Sequence, residues 1–199
     1  MKKTLYILFL LILFVCISAI SYAKTVSTDL ENNFFRLHIL ANSNLEEDQE
    51  LKLKVRDKVI EYMNSLSYID LSKEDAIKLT NENLDKIKEI AEKTITQNGY
   101  NYPVNIEIGN FYFPTKHYAN VSLPAGYYDA LRIKIGKAEG ENWWCSLFPP
   151  LCFTDISSGV IDTDNLNALE ENLSKDEFEI ITGNNEKITF KFKLVELLS

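Results

Sequence analysis

Phe34-Phe35-Arg36-Leu37-His38-Ile39-Leu40-Ala41-Asn42-Ser43-Asn44 carries the chain from one kind of structure to another within eleven residues. Phe35, Leu37 and Ile39 alternate with Arg36 and His38, which is the period of a half-buried strand. Ala41 to Asn44 then stops the strand. Ser43 followed by Glu46 has the spacing of a capping box, in which hydroxyl and carboxylate each satisfy an orphaned backbone donor. A helix is therefore expected from about Leu45 to Ser65. Its apolar residues Leu51, Val55, Val59, Met63 and Leu66 form one stripe, while Asp48 with Lys52, and Glu50 with Lys54, pair on faces expected to be solvated.

Downstream, Ser72-Lys73-Glu74-Asp75 opens a second helix with Ile77, Leu84, Ile87, Ala91 and Ile95 as its core stripe and Gly99 as its stop. Val104, Ile106 and Ile108 alternate with polar residues, and Phe111 and Phe113 extend that strand to Pro114. Thr115 to Tyr127 reads as an ordered loop, and Asp129 to Ile135 as a third strand ending at Gly136. Asp164 to Leu173 and Asp176 to Ile181 have helical patterns, and Lys187 to Val195 alternates like a final edge strand. Strands, a helix pair, two strands, small helices and a last strand predict an α+β fold: a single domain, residues 24 to 199, with a mostly antiparallel sheet, an N-terminal helix pair and small C-terminal helices.

Ahead of that domain, Lys2 and Lys3 precede a nearly unbroken apolar run from Leu5 to Ile20 and the small-residue site Ser21-Tyr22-Ala23. This is the pattern of a signal peptide spanning residues 1 to 23, with cleavage after Ala23; an uncleaved signal anchor is the alternative. Either form places Lys24 onward outside the cytoplasm, with Lys24 to Asn33 as a short polar lead. Loss of Lys2 and Lys3 moves the net charge from −8 to −10. That balance argues against nucleic acid and against electrostatic adhesion to an anionic membrane.

Both tryptophans, two of the three cysteines and a pair of prolines fall in Asn142-Trp143-Trp144-Cys145-Ser146-Leu147-Phe148-Pro149-Pro150-Leu151-Cys152-Phe153. Two consecutive prolines remove two backbone donors, so the stretch is expected to be a stiff aromatic loop rather than a helix or central strand. Trp143 and Trp144 would face opposite ways, one into the core and one outward as a partner contact. Cys145 and Cys152 remain as an even pair in an exported chain, which favours a disulfide; buried free thiols are the alternative. Their spacing and the distant His38 and His117 do not make a zinc set. No base neighbours either cysteine, and no serine elbow, zincin motif or phosphate loop occurs. His38 reads as structural, His117 as the better candidate for contact. No cofactor or metal is expected, and the chain is not expected to be an enzyme. A secreted cell-wall hydrolase using a carboxylate pair is the alternative from another class.

Three blocks resemble the stage II sporulation protein R family: Arg36 to Ser43 leading to Leu51 to Asp57, then Leu123-Pro124-Ala125-Gly126-Tyr127-Tyr128-Asp129-Ala130-Leu131-Arg132, then the segment opening at Asn142. Asn44-Leu45 departs from the expected acidic, serine-containing pair. The resemblance implies an intercellular signal of endospore-forming bacteria. Such a protein is made in the forespore, secreted into the space between forespore and mother cell, and triggers a membrane-embedded aspartic protease that processes pro-sigma-E. It supplies no catalytic residues. The expected partner-binding surface is Trp143, Trp144, Phe148, Tyr127 and His117, braced by Cys145 and Cys152, with the Asn42-Ser43-Asn44 corner as a second candidate.

Overall fold

A computed structural model describes residues 2–66, 71–118, 120–152 and 163–183. Its elements are α1 (Lys2–Asn33), β1 (Phe35–Leu40), α2 (Glu46–Ser65), α3 (Lys73–Glu82), α4 (Leu84–Gln97), β2 (Val104–Phe113), β3 (Lys116–Tyr118), β4 (Val121–Leu123), β5 (Gly126–Ile135), β6 (Asn142–Phe148), α5 (Thr163–Asn172) and α6 (Lys175–Thr182). The α+β expectation holds. The main sheet has the order β2-β5-β1-β6, in which β2–β5 and β1–β6 are antiparallel and β1–β5 parallel. The expected terminal strand Lys187 to Val195 lies outside the described residues.

Position in the sheet corrects the reading of β1. It is a central strand, and Phe35, Leu37 and Ile39 on one face and Arg36 and His38 on the other are all buried. The first face packs on the stripe Leu51, Val55, Val59 and Met63 of α2 and on Ile87, Ala91 and Ile95 of α4, together with Leu131, Ile133 and Ile135 of β5. Each such aliphatic side chain stabilises by about 1.5–3 kcal/mol relative to exposure. The opposite face carries a second core built from Val26, Leu30 and Phe34, Val121 and Leu123 of the β3–β4 hairpin, Phe113 and Tyr128, Leu169 of α5, Leu173 just beyond it and Ile181 of α6. The segment Thr115 to Tyr127, expected as a loop, is thus mostly that hairpin and the start of β5. The lead Lys24 to Asn33 is likewise the last part of a single helix α1, with Val26 and Leu30 in the core.

Two helix expectations change in detail. Ser43 does not cap α2. The cap position is Leu45, and the Ser43 hydroxyl accepts from the Leu45 N–H and donates to Asp48 Oδ2 at 2.6 Å. Asp48 and Lys52 are buried rather than solvated: Asp48 also accepts from Asn42 Nδ2, and Lys52 Nζ donates to the Glu141 carbonyl. Lys54 reaches across to Asn98 Oδ1. The second predicted helix is broken at Asn83, whose side-chain amide donates to the Leu79 carbonyl and whose Oδ1 accepts from Tyr62, so α3 and α4 are separate. Ser72 caps α3 by accepting from the Asp75 N–H, and Gly99, at φ +85°, closes the chain beyond α4 as expected.

Candidate functional site

The stretch Asn142–Phe148 is not a loop. It is the strand β6, paired on one side only among the described residues, and the turn begins at Pro149-Pro150. The two prolines lie just beyond the ladder, where their missing donors cost nothing to the pairing. Cys145 and Cys152 are joined by a disulfide, Cα to Cα 5.1 Å, which ties that turn to β6. The Trp143 and Trp144 side chains do face opposite ways, and neither is fully exposed. Trp143 lies on the helix face under the Arg56 guanidinium, 4.1 Å from its ring centre. Trp144 lies on the other face, stacked on His38 at 3.7 Å between ring centres.

The five residues expected to make a partner surface are therefore dispersed. Phe148 is a core residue, 5 % exposed, and braces the fold rather than presenting itself. Tyr127 is exposed at the start of β5, edge-on to Tyr112. His117 sits on β3 with Nδ1 2.8 Å from the Ser122 hydroxyl. The Asn42-Ser43-Asn44 corner is a clasp: Asn42 Oδ1 accepts from the Lys137 N–H, Asn44 Oδ1 from the Glu141 N–H, and Gly140 N–H donates to the Ala41 carbonyl. It fastens the β1–α2 corner to the β5–β6 connection and so sets where β6 enters the sheet.

What the fold gathers instead is a row across all four strands. The register places Glu107 of β2 opposite Arg132 of β5, Arg132 beside His38 of β1, and His38 opposite Trp144 of β6. Arg132 donates from Nε and Nη2 to Glu107 Oε1 at 3.0 and 2.7 Å, and Lys134 Nζ reaches the same oxygen at 2.9 Å. These two cations hold the Glu107 carboxyl below the usual range. The Arg132 guanidinium also lies 3.7 Å above the Phe111 ring. Lys116 stands 5.9 Å from the Trp144 ring.

Behind the row Arg36 is fully buried, its guanidinium 4.3 Å from the Phe113 ring centre and 4.8 Å from that of Tyr128. Arg36 donates from Nε to the Cys145 carbonyl and from Nη2 to the Tyr118 hydroxyl, and among the described residues it has no carboxylate partner and its Nη1 no acceptor. Ring faces thus supply the counter-potential that a carboxylate usually gives. Burial, and then Arg132, Lys134 and Arg36, push the His38 imidazole down to about 4, so it is neutral at physiological pH. The Asn142 side chain works against that shift, yet among the described residues neither His38 ring nitrogen closes a hydrogen bond.

A neutral buried imidazole and a carboxylate locked between two cations make a poor acid–base pair, because neither group exchanges a proton readily near neutral pH. Among the described residues no group of three or more His, Cys, Asp and Glu is placed to hold a metal. The row offers charge and an aromatic face rather than a poised proton donor and acceptor. The sequence singles out Trp144 and marks His38 as structural, which its burial against the Trp144 ring bears out, but it does not single out Arg132, Lys134 or Glu107. The available signal was charged residues alternating on two strands, β1 and β5, whose other face is mostly aliphatic.

Arg36 and His38, Arg132, and Trp144 come from the three blocks that carry the family likeness, and those blocks are the adjacent strands β1, β5 and β6. The family model described as stage II sporulation protein R matches residues 31–158. The chain belongs to the stage II sporulation protein R family. Stage II sporulation protein R of Bacillus subtilis (strain 168) is 37% identical over 167 residues, covering 80% of this chain and 75% of that protein. No solved structure matches the chain. Membership of the stage II sporulation protein R family makes this a sporulation protein, and the matched residues take in β1 to β6 whole, the row included.

Proposed function

We propose that the chain is a secreted sporulation signal that acts as a ligand. It is exported from the forespore into the space between the two cells and triggers a membrane-embedded aspartic protease to process pro-sigma-E in the mother cell. Family membership carries this reading. The N-terminal apolar helix, compatible with a signal sequence, supports export, and the row without a poised acid–base pair supports binding over catalysis. Binding would favour the active arrangement of the protease and so shift a population rather than contribute chemistry. The test is processing of the sigma-E precursor in a non-sporulating host that expresses precursor and protease with or without this chain. A size shift of the precursor only when the chain is exported is the expected result. An unshifted precursor, with the protease shown active by other means, would overturn the reading.

A further inference from the structure

The described surface is acidic overall, the whole chain carrying −8, yet the row sits in a local reversal of sign. Arg132 and Lys134 share one carboxylate, Glu107, which leaves one positive charge over, and Lys116 adds another beside Trp144. Between these cations lies the His38 ring, 6 % exposed, stacked on Trp144 and beside the Asn142 side chain, so it adds no charge to the face. We propose that this face, Arg132, His38 and Trp144 with Lys134 and Lys116, receives an acidic segment of a partner protein. One of its carboxylates would take the place of Glu107 on Lys134 and Arg132, while apolar atoms lie on the Trp144 ring.

Position selects a protein over a lipid surface. The Gly126 end of β5 packs against Glu31 of α1, and the Tyr127 backbone hydrogen-bonds to that carboxylate, so this end of the sheet lies beside the C-terminal end of α1. Arg132 and Lys134 are six and eight residues along β5, a displacement of roughly 20–26 Å at strand rise. The row lies toward the opposite end of β5 from this junction with α1, the element whose apolar stretch would meet lipid. The inference deepens the proposed function and rests on it for the partner being a protein.

The experiment uses the full chain in phosphatidylcholine nanodiscs and a fluorescein-labelled octapeptide alternating Glu and Val, with a Gln and Val peptide as reference. The Glu peptide should bind at least about tenfold more tightly than the Gln peptide. Lys134→Gln should weaken it about fivefold or more, and Glu107→Gln, which releases both cations, should strengthen it. Lys88→Gln on α4 makes the same charge change as Lys134→Gln and should leave affinity unchanged. Equal effects of Lys88→Gln and Lys134→Gln, or no gain from Glu107→Gln, would overturn the inference. So would binding to phosphatidylglycerol nanodiscs in place of the peptide, if it depends on Lys134. Lys134 and Glu107 are partly exposed, so these variants keep the core, and Glu107→Gln decides the matter even if Lys134→Gln fails to fold. No protease enters this titration: its failure with intact precursor processing removes this inference alone, whereas failed processing removes the proposed function and leaves the titration standing.

Discussion

His38 lies between the Trp144 ring and three cations, and its folded-state pKa of about 4 sits below the ordinary 6.5. As pH falls the unfolded chain therefore takes up the proton first. Its contribution is intact above about pH 6.5 and is lost progressively as pH falls toward 4, by about 3 kcal/mol in all and about 2 kcal/mol between pH 6.5 and 5. His38→Gln should flatten that part of the stability profile. Denaturant unfolding of the full chain in micelles at pH 7 and pH 5 measures it, and equal losses in both proteins would mean that His38 titrates normally. Arg36 follows a different logic. Its guanidinium contacts the faces of Phe113 and Tyr128 and donates from two nitrogens, so a lysine, with a compact and strongly hydrated charge, cannot reproduce it.

Between elements, the clasp of the β1–α2 corner on the β5–β6 connection depends on one glycine. Gly136 has φ +59°, and a Cβ there would run into the Asn42 side chain that accepts from Lys137 and donates to Asp48. Gly136→Ala should cost about 2 kcal/mol or more from the left-handed backbone and the displaced amide together. Asn42→Ala should cost about 1 kcal/mol, because it removes one of the two donors to the buried Asp48 Oδ2 and the acceptor of the Lys137 N–H. The double variant should cost less than the sum, since both disrupt one network. Thermal unfolding of the three variants checks this, and strict additivity would show the two residues to be independent. The Cys145–Cys152 disulfide belongs to the same scale. It closes a short loop, so replacing both cysteines by serine should cost about 2 kcal/mol.

At the level of the whole molecule, α1 has two jobs in one helix. Its 18-residue apolar window is entirely exposed, while Val26 and Leu30 are buried under the hairpin and the C-terminal helices. Asn33 Nδ2 donates to Glu177 Oε1 at 2.9 Å, joining the end of α1 to α6. Leu30→Ala should therefore destabilise the domain by about 3 kcal/mol, a fall in melting temperature of about 6–12 °C. Leu8→Ala, in the exposed stretch, should leave that melting temperature where it was. Equal effects would show that the last turns of α1 are not part of the domain. A chain beginning at Lys24 keeps Val26 and Leu30, so signal cleavage after Ala23 and the second core are compatible.

By itself the sequence determined the α+β class, the extent of β2, the caps at Ser72 and Gly99 and the apolar stripes of α2 and α4, because those follow from residue spacing and backbone chemistry within a few neighbours. The resemblance of three blocks likewise needed no coordinates to point to the family. Tertiary structure alone decided that β1 is central and buried on both faces, that Asn142–Phe148 is a strand, and that Ser43 serves a clasp rather than a cap. It alone also brought Glu107, Arg132, His38 and Trp144 into one row. Each of those outcomes depends on which strand lies beside which, and pairing between residues a hundred positions apart is set by the packing of two cores, which no local period records.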